Sequence, residues 1–163
     1  MHTLQSLKSS MNAWRIVLFL AVAIGLTGCS IKLVTDYDSA TFEETLRVGK
    51  KVDRFYGDLL ETPADDRQYS KYSDKYVEIE TDLRSLWTRN KARTLNQEST
   101  EISEIILNLW LKYKNAHERS NTYSDGKAKL DRNRFTRLFV SAADAEAAKK
   151  LDPDDRVTNK DSK

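Results

Sequence analysis

Few side chains in this chain have both the type and the spacing to do chemistry. Cys29 is its one cysteine, so it can close no disulfide within the chain and complete no cysteine-ligated metal site. Beyond the first residues, His117 is the only histidine. A di-iron bundle site needs Glu-x-x-His on two helices, but the residue three before His117 is Lys114. His117 lies near the end of a helical stretch, where a cation complements the helix dipole. The acid pairs Glu43-Glu44, Asp65-Asp66 and Glu101 with Glu104 have the composition of acid/base partners. Each falls on a polar face or in a cap with no histidine beside it, and solvation accounts for them. Asp152-x-Asp154 with Asp155 opens like a calcium loop, yet the glycine and glutamate required at its sixth and twelfth positions are Val157 and Lys163. Gly49, Gly57 and Gly126 are too dispersed to cradle a phosphate, and no serine stands between the glycines a hydrolase elbow needs. The expectation is a non-enzyme with no catalytic residue, no metal and no cofactor.

Tyrosine is the functional side chain that recurs. Tyr56, Tyr69, Tyr72, Tyr76, Tyr113 and Tyr123, six of the seven in the chain, gather at one end of the molecule if the helices described below pack antiparallel. A large rigid ring with a polar tip suits a binding patch or an aromatic pocket. It equally suits a core whose hydroxyls reach water at the end of a bundle. Lys127, Lys129, Arg132, Arg134 and Arg137 give a second bias, a positive strip softened by Asp125 and Asp131. It reads as a solvated helix face, or as a docking strip for an acidic partner.

These residues are placed by four amphipathic segments. The first begins at Asp38 or Ser39 as cap, with Phe42, Leu46, Gly49, Val52, Tyr56 and Leu59 on one face. Gly49 costs helix stability of about 1 kcal/mol and is expected to let a neighbouring helix come close. Thr62-Pro63-Ala64-Asp65 reads as the start of the second helix, with Thr62 as N-cap and Pro63 at the first helical position. Its stripe is Tyr69, Tyr72, Tyr76, Ile79, Leu83, Leu86 and Asn90. After a polar loop from Arg89 to Asn96, the third helix offers Ile102, Ile105, Ile106, Leu109, Tyr113 and Ala116, with Trp87 and Trp110 just off their stripes. A turn over Asn121 to Gly126 leads to the fourth, with Ala128, Leu130, Phe135, Leu138, Phe139, Ala142 and Ala145. Four such segments bury their stripes by packing as an all-α, up-down antiparallel four-helix bundle over residues 39–150. Residues 151–163 are polar and expected to form a disordered tail.

The leader carries the remaining signal. Lys8 and Arg15 precede an uncharged apolar run, Ile16 to Leu26, with no acid among the first fifteen residues. That is the layout of a secretory signal, and the run is shorter than the ~20 residues that span a bilayer. It ends in Leu26-Thr27-Gly28-Cys29, which resembles the bacterial lipobox. The resemblance implies cleavage after Gly28, leaving residues 1–28 as signal peptide and Cys29 as the acylated first residue. Ser30, not the aspartate that retains enteric lipoproteins in the inner membrane, implies the outer membrane facing the periplasm. Residues 29–38 then read as a lipidated tether. Tyr37-Asp38, Phe135, Phe139 and the stretch Ala145 to Lys150 resemble small helical bacterial lipoproteins, a resemblance that implies no activity.

Cleavage removes two of 27 basic residues and none of 25 acidic ones, so the mature chain is neutral. It lacks the clustered positive charge that phosphate backbones need, and nucleic acid is not an expected partner. The reading is a lipid-anchored envelope protein acting by protein contact on a partner of unknown identity, its own oligomeric state open. The alternative is a small-molecule module using the tyrosine-rich pole, which lies far from the membrane.

Overall fold

The computed structural model describes residues 34–150. The expected signal peptide, Cys29 and the expected tail over residues 151–163 lie outside the described residues. Among the described residues there are four α-helices: α1 Ser39–Glu61, α2 Ser73–Lys91, α3 Gln97–Ser120 and α4 Asp125–Ala147. Consecutive helices pack on each other, and α4 closes the ring against α1. The expected all-α, up-down antiparallel four-helix bundle is the architecture observed. One pole joins the start of α1, the α2–α3 loop and the end of α4. The opposite pole joins the 62–72 connector to the α3–α4 turn.

The helix ends follow local chemistry. Asp38 caps α1 as expected, accepting from Ala40 N–H at 3.0 Å and the Thr41 hydroxyl at 2.7 Å. The Thr41 bond is the main reason that its carboxyl stays below the usual range. α3 ends at Asn121, whose left-handed φ of 51° turns the chain while its N–H returns to the His117 carbonyl at 2.7 Å. Ser124 caps α4 through the Lys127 N–H.

The start of the second helix differs from the sequence expectation. Thr62 ends α1 instead of capping α2, its N–H and hydroxyl both donating to the Asp58 carbonyl. Pro63 is followed by two short 3-10 turns, Ala64–Asp66 and Tyr69–Lys71, before α2 begins at Ser73. The cause lies far away in sequence. The buried Arg67 guanidinium donates to the Thr62 and Tyr123 carbonyls at 2.7 and 2.9 Å and pairs with Asp125 at 2.6 Å. One arginine thus gathers the connector and the start of α4, and a continuous helix from Pro63 could not be bent to serve it.

The core runs the length of the bundle and centres on Trp110, which is fully buried. The α2 stripe of Tyr76, Ile79, Leu83, Leu86 and Asn90 is buried as expected. The inward faces of α1 and α3 are rotated from their expected positions. α1 buries Thr41, Thr45, Val48 and Phe55 and leaves Leu46 exposed, whereas α3 buries Ser99, Ser103, Leu107 and Trp110 and leaves Ile105 exposed. Buried hydroxyls are tolerated because they bond back to the helix, Thr45 to the Thr41 carbonyl at 2.8 Å and Ser103 to the Ser99 carbonyl at 2.9 Å. In α4, Leu130 is likewise exposed. Gly49 does what was expected of it: a Cβ there would stand 3.0 Å from Cγ of Phe139, so its absence sets the α1–α4 spacing.

Candidate functional site

All six tyrosines singled out from the sequence converge with Phe55, Trp110, His117 and Phe135 into one aromatic cluster. Tyr56 stacks on Phe135 at 5.8 Å and Tyr69 on Tyr76 at 5.6 Å, while Tyr113 meets Phe135 edge-on at 5.9 Å. The His117 ring lies within 6.0 Å of the Tyr69, Tyr72, Tyr76 and Tyr123 rings, centroid to centroid. Five of the six tyrosines are buried, Tyr69 being the partly exposed one. They build the core of the far half rather than a surface patch, and a ligand would reach them only by displacing packed side chains.

Of the five buried hydroxyls, four are satisfied internally. Tyr72 donates to the Thr62 hydroxyl at 2.9 Å, and Tyr113 accepts from Arg134 at 2.6 Å. Tyr123 donates to Asp131 at 2.6 Å, and that carboxylate also accepts from Lys127 at 2.5 Å. Tyr56 is the exception, a buried hydroxyl that faces Tyr123 without a well-formed bond. Burial raises the pKa of Tyr56, Tyr76, Tyr113 and Tyr123, so each ring is held neutral.

His117 is where the structure overturns the expectation of a helix-end cation. It is fully buried, with Nε2 2.7 Å from the Arg67 carbonyl and Nδ1 3.0 Å from the Tyr76 hydroxyl. A carbonyl can only accept, so Nε2 carries the proton, and Nδ1 accepts from Tyr76. Loss of hydration pushes its pKa below 6.5, outweighing the pull of the Arg67 carbonyl. The imidazole is a neutral strut between α2, α3 and the connector.

The opposite pole holds a site that the sequence reading missed. Glu146, 1 % exposed, accepts from Asp38 N–H at 2.8 Å, from Arg93 Nη1 at 3.1 and 3.2 Å, and from the Lys149 ammonium. Lys149 also donates to Asn96 Oδ1 at 2.5 Å and Ser99 Oγ at 2.8 Å, and Asn96 in turn donates to Asn90 at 3.0 Å. Arg93 further donates to the Asp36 carbonyl, and Thr35 N–H bonds the Leu95 carbonyl at 3.0 Å. Residues 35–38, expected as part of a tether, are therefore built into the bundle. A signal for this existed. Ala128, Asp131, Phe135, Phe139, Ala143 and Glu146 are the inward positions of α4, so an acid sits at each end of its apolar stripe.

The basic strip on α4 is largely committed to internal partners. Arg132 forms a two-pronged bond to Asp53 at 2.6 and 2.7 Å, and Lys127 and Arg134 both pair with Asp131. The bond from Arg132 holds the Asp53 carboxyl below its usual range. Between α1 and α4 lies an open groove of about 500 Å³, lined by Phe42, Leu46, Gly49, Phe139, Val140 and Ala143, with Lys50, Asp53 and Asp144 at its rim. Among the described residues no cluster of His, Cys, Asp and Glu is arranged to hold a metal ion, and no helix is long and apolar enough to cross a membrane. No family model, curated protein or solved structure matches this chain.

Proposed function

We propose that the protein is a lipid-anchored component of the bacterial cell envelope, acylated at Cys29, that works by contact with another envelope protein and not by catalysis. The observation that carries the reading is the leader, a basic start and a short apolar run ending in Leu26-Thr27-Gly28-Cys29. The ionisable groups that could have served chemistry support it from the other side. His117 and Glu146 spend their bonding capacity on holding separate segments together, and Asp131 on fastening the turn at Tyr123 to α4. Ser30 points to the outer membrane as the address in a host with two membranes, with the bundle facing the periplasm.

Contact falls to the exposed apolar side chains, and Leu46 and Val140, 50 % and 54 % exposed, flank the α1–α4 groove. The tyrosine cluster is too enclosed to serve as the binding patch, so it acts as scaffold. Two measurements test the reading. Intact mass of the natural product should show a chain beginning at an acylated Cys29; an intact leader or an unmodified thiol there sinks the anchor. A photo-crosslinking residue at Leu46 or Val140, expressed in cells, should capture a discrete envelope protein that the same residue at exposed Glu61 does not; repeated capture of nothing sinks the contact role.

A further inference from the structure

The chain leading back to Cys29 leaves the bundle beside the α2–α3 loop, because the Thr35 N–H is held by the Leu95 carbonyl at 3.0 Å. Cys29 is six residues earlier, a distance of about 20 Å at full extension. Leu95 itself is 55 % exposed and has a φ of 57°, a left-handed conformation that a leucine adopts only under constraint. The Thr35 bond fixes the carbonyl of this same residue, and its apolar side chain stands out at the pole nearest the chain's exit. The surrounding stretch from Leu86 to Gln97 contains Arg89, Lys91 and Arg93 and no acid. Arg93 is committed to Glu146, but Arg89 and Lys91 are exposed, and the Lys91 ammonium stands 4.7 Å over the half-buried Trp87 ring. An apolar tip flanked by cations and an indole matches the depth profile of a phospholipid surface, acyl boundary first and phosphates next.

We propose that the α2–α3 loop seats the bundle on the bilayer, with Leu95 entering the acyl boundary and Arg89 and Lys91 meeting lipid phosphates. The inference rests on acylation of Cys29, since one leucine buries too little surface to bind a membrane alone. A short acylated leash supplies the high local concentration that makes so weak a contact count. The seat fixes one pole toward the lipid, so that the α1–α4 groove opens sideways and the tyrosine pole points away.

The test uses the full acylated chain in vesicles of phosphatidylethanolamine and phosphatidylglycerol. With the Cys29 thiol blocked by lipid, Leu95→Cys offers one reactive thiol for an environment-sensitive fluorophore, and Glu61→Cys at the opposite pole gives the control. The label at position 95 should shift to the blue and be quenched by spin-labelled lipid, while that at position 61 stays aqueous. Joining Arg89→Glu and Lys91→Glu to the first variant should abolish the quenching. Aqueous emission at both positions overturns the seat, and so does equal quenching at both. Intact mass separates the two readings: an unmodified Cys29 takes a second label and defeats the anchor. Aqueous emission at position 95 from a chain whose mass shows an acylated Cys29 overturns the seat and leaves the anchor standing.

Discussion

The two poles of the bundle bury polar groups by opposite means. At the pole where the chain enters, one carboxylate, Glu146, collects charged and backbone donors from three segments far apart in sequence. At the other, rings fill the space around two separate buried charges, Arg67 and Asp131, each paired with a more exposed partner, and the centre is neutral, with His117 bridging the Arg67 carbonyl and the Tyr76 hydroxyl. An ionic hub is strong only while every partner is present, because a stranded buried charge costs far more than the intact cluster gains. The neutral aromatic centre of the other pole loses less with any one deletion, and its His117 makes it depend on pH. The same fold therefore carries an all-or-none fastening at one end and a graded one at the other.

The sharpest break in that contrast is Glu146→Gln. It strands Arg93 and Lys149 in a buried site, and chemical denaturation should show a loss of about 3–5 kcal/mol. A loss under about 1 kcal/mol, the level of an exposed pair, would erase the distinction between the poles. Tyr123→Phe comes next, since it takes one donor from buried Asp131 and leaves Lys127 in place; a loss of about 1–3 kcal/mol is expected by the same measurement. Mild acidification probes His117 at the aromatic pole. His117 binds its proton less readily folded than unfolded, so near and below pH 6.5 the unfolded chain takes up more protons and stability falls with pH. The unfolding free energy from chemical denaturation should decline through that window with a slope of at most about 1.4 kcal/mol per pH unit. His117→Gln should flatten the decline, and an unchanged slope would show that another group governs it. Asp38 and Asp53, with lowered pKa values, weaken the fold only near and below pH 3.8, which keeps their contribution apart. The smallest effect belongs to Tyr56→Phe. Its hydroxyl has no well-formed partner, so unfolding should shift by less than about 0.5 kcal/mol or toward stability.

What could be read from the sequence was what depends on neighbours three and four positions apart. The α2 stripe, the Asp38 cap, the close approach at Gly49 and the convergence of the tyrosines are all of that kind, and so is the four-helix architecture. What escaped was set by partners across the fold. Thr45 and Ser103 could turn inward by bonding their own helix, and this rotated α1 and α3 away from faces judged by hydrophobicity alone. The helix expected from Pro63 gave way to 3-10 turns because Arg67 reaches residue 123. Tyr123 and Asp131 were each noted for another reason, one as a patch residue and one as a softener of a basic strip. Only tertiary packing shows that they bond each other. Glu146 looked like one more charge near a helix end, although its place in line with Phe139 and Ala143 marked it as inward.

The fastening of residues 35–38 also has a mechanical side. Tension applied from the amino-terminal direction does not peel α1 from its end. It enters through Thr35, Asp36 and Asp38 and divides at once between the α2–α3 loop and the last turn of α4. Several bonds must then yield together, as in shear, where otherwise they would open one after another like a zip. A bundle pulled from that side would keep its shape until Glu146 lets go.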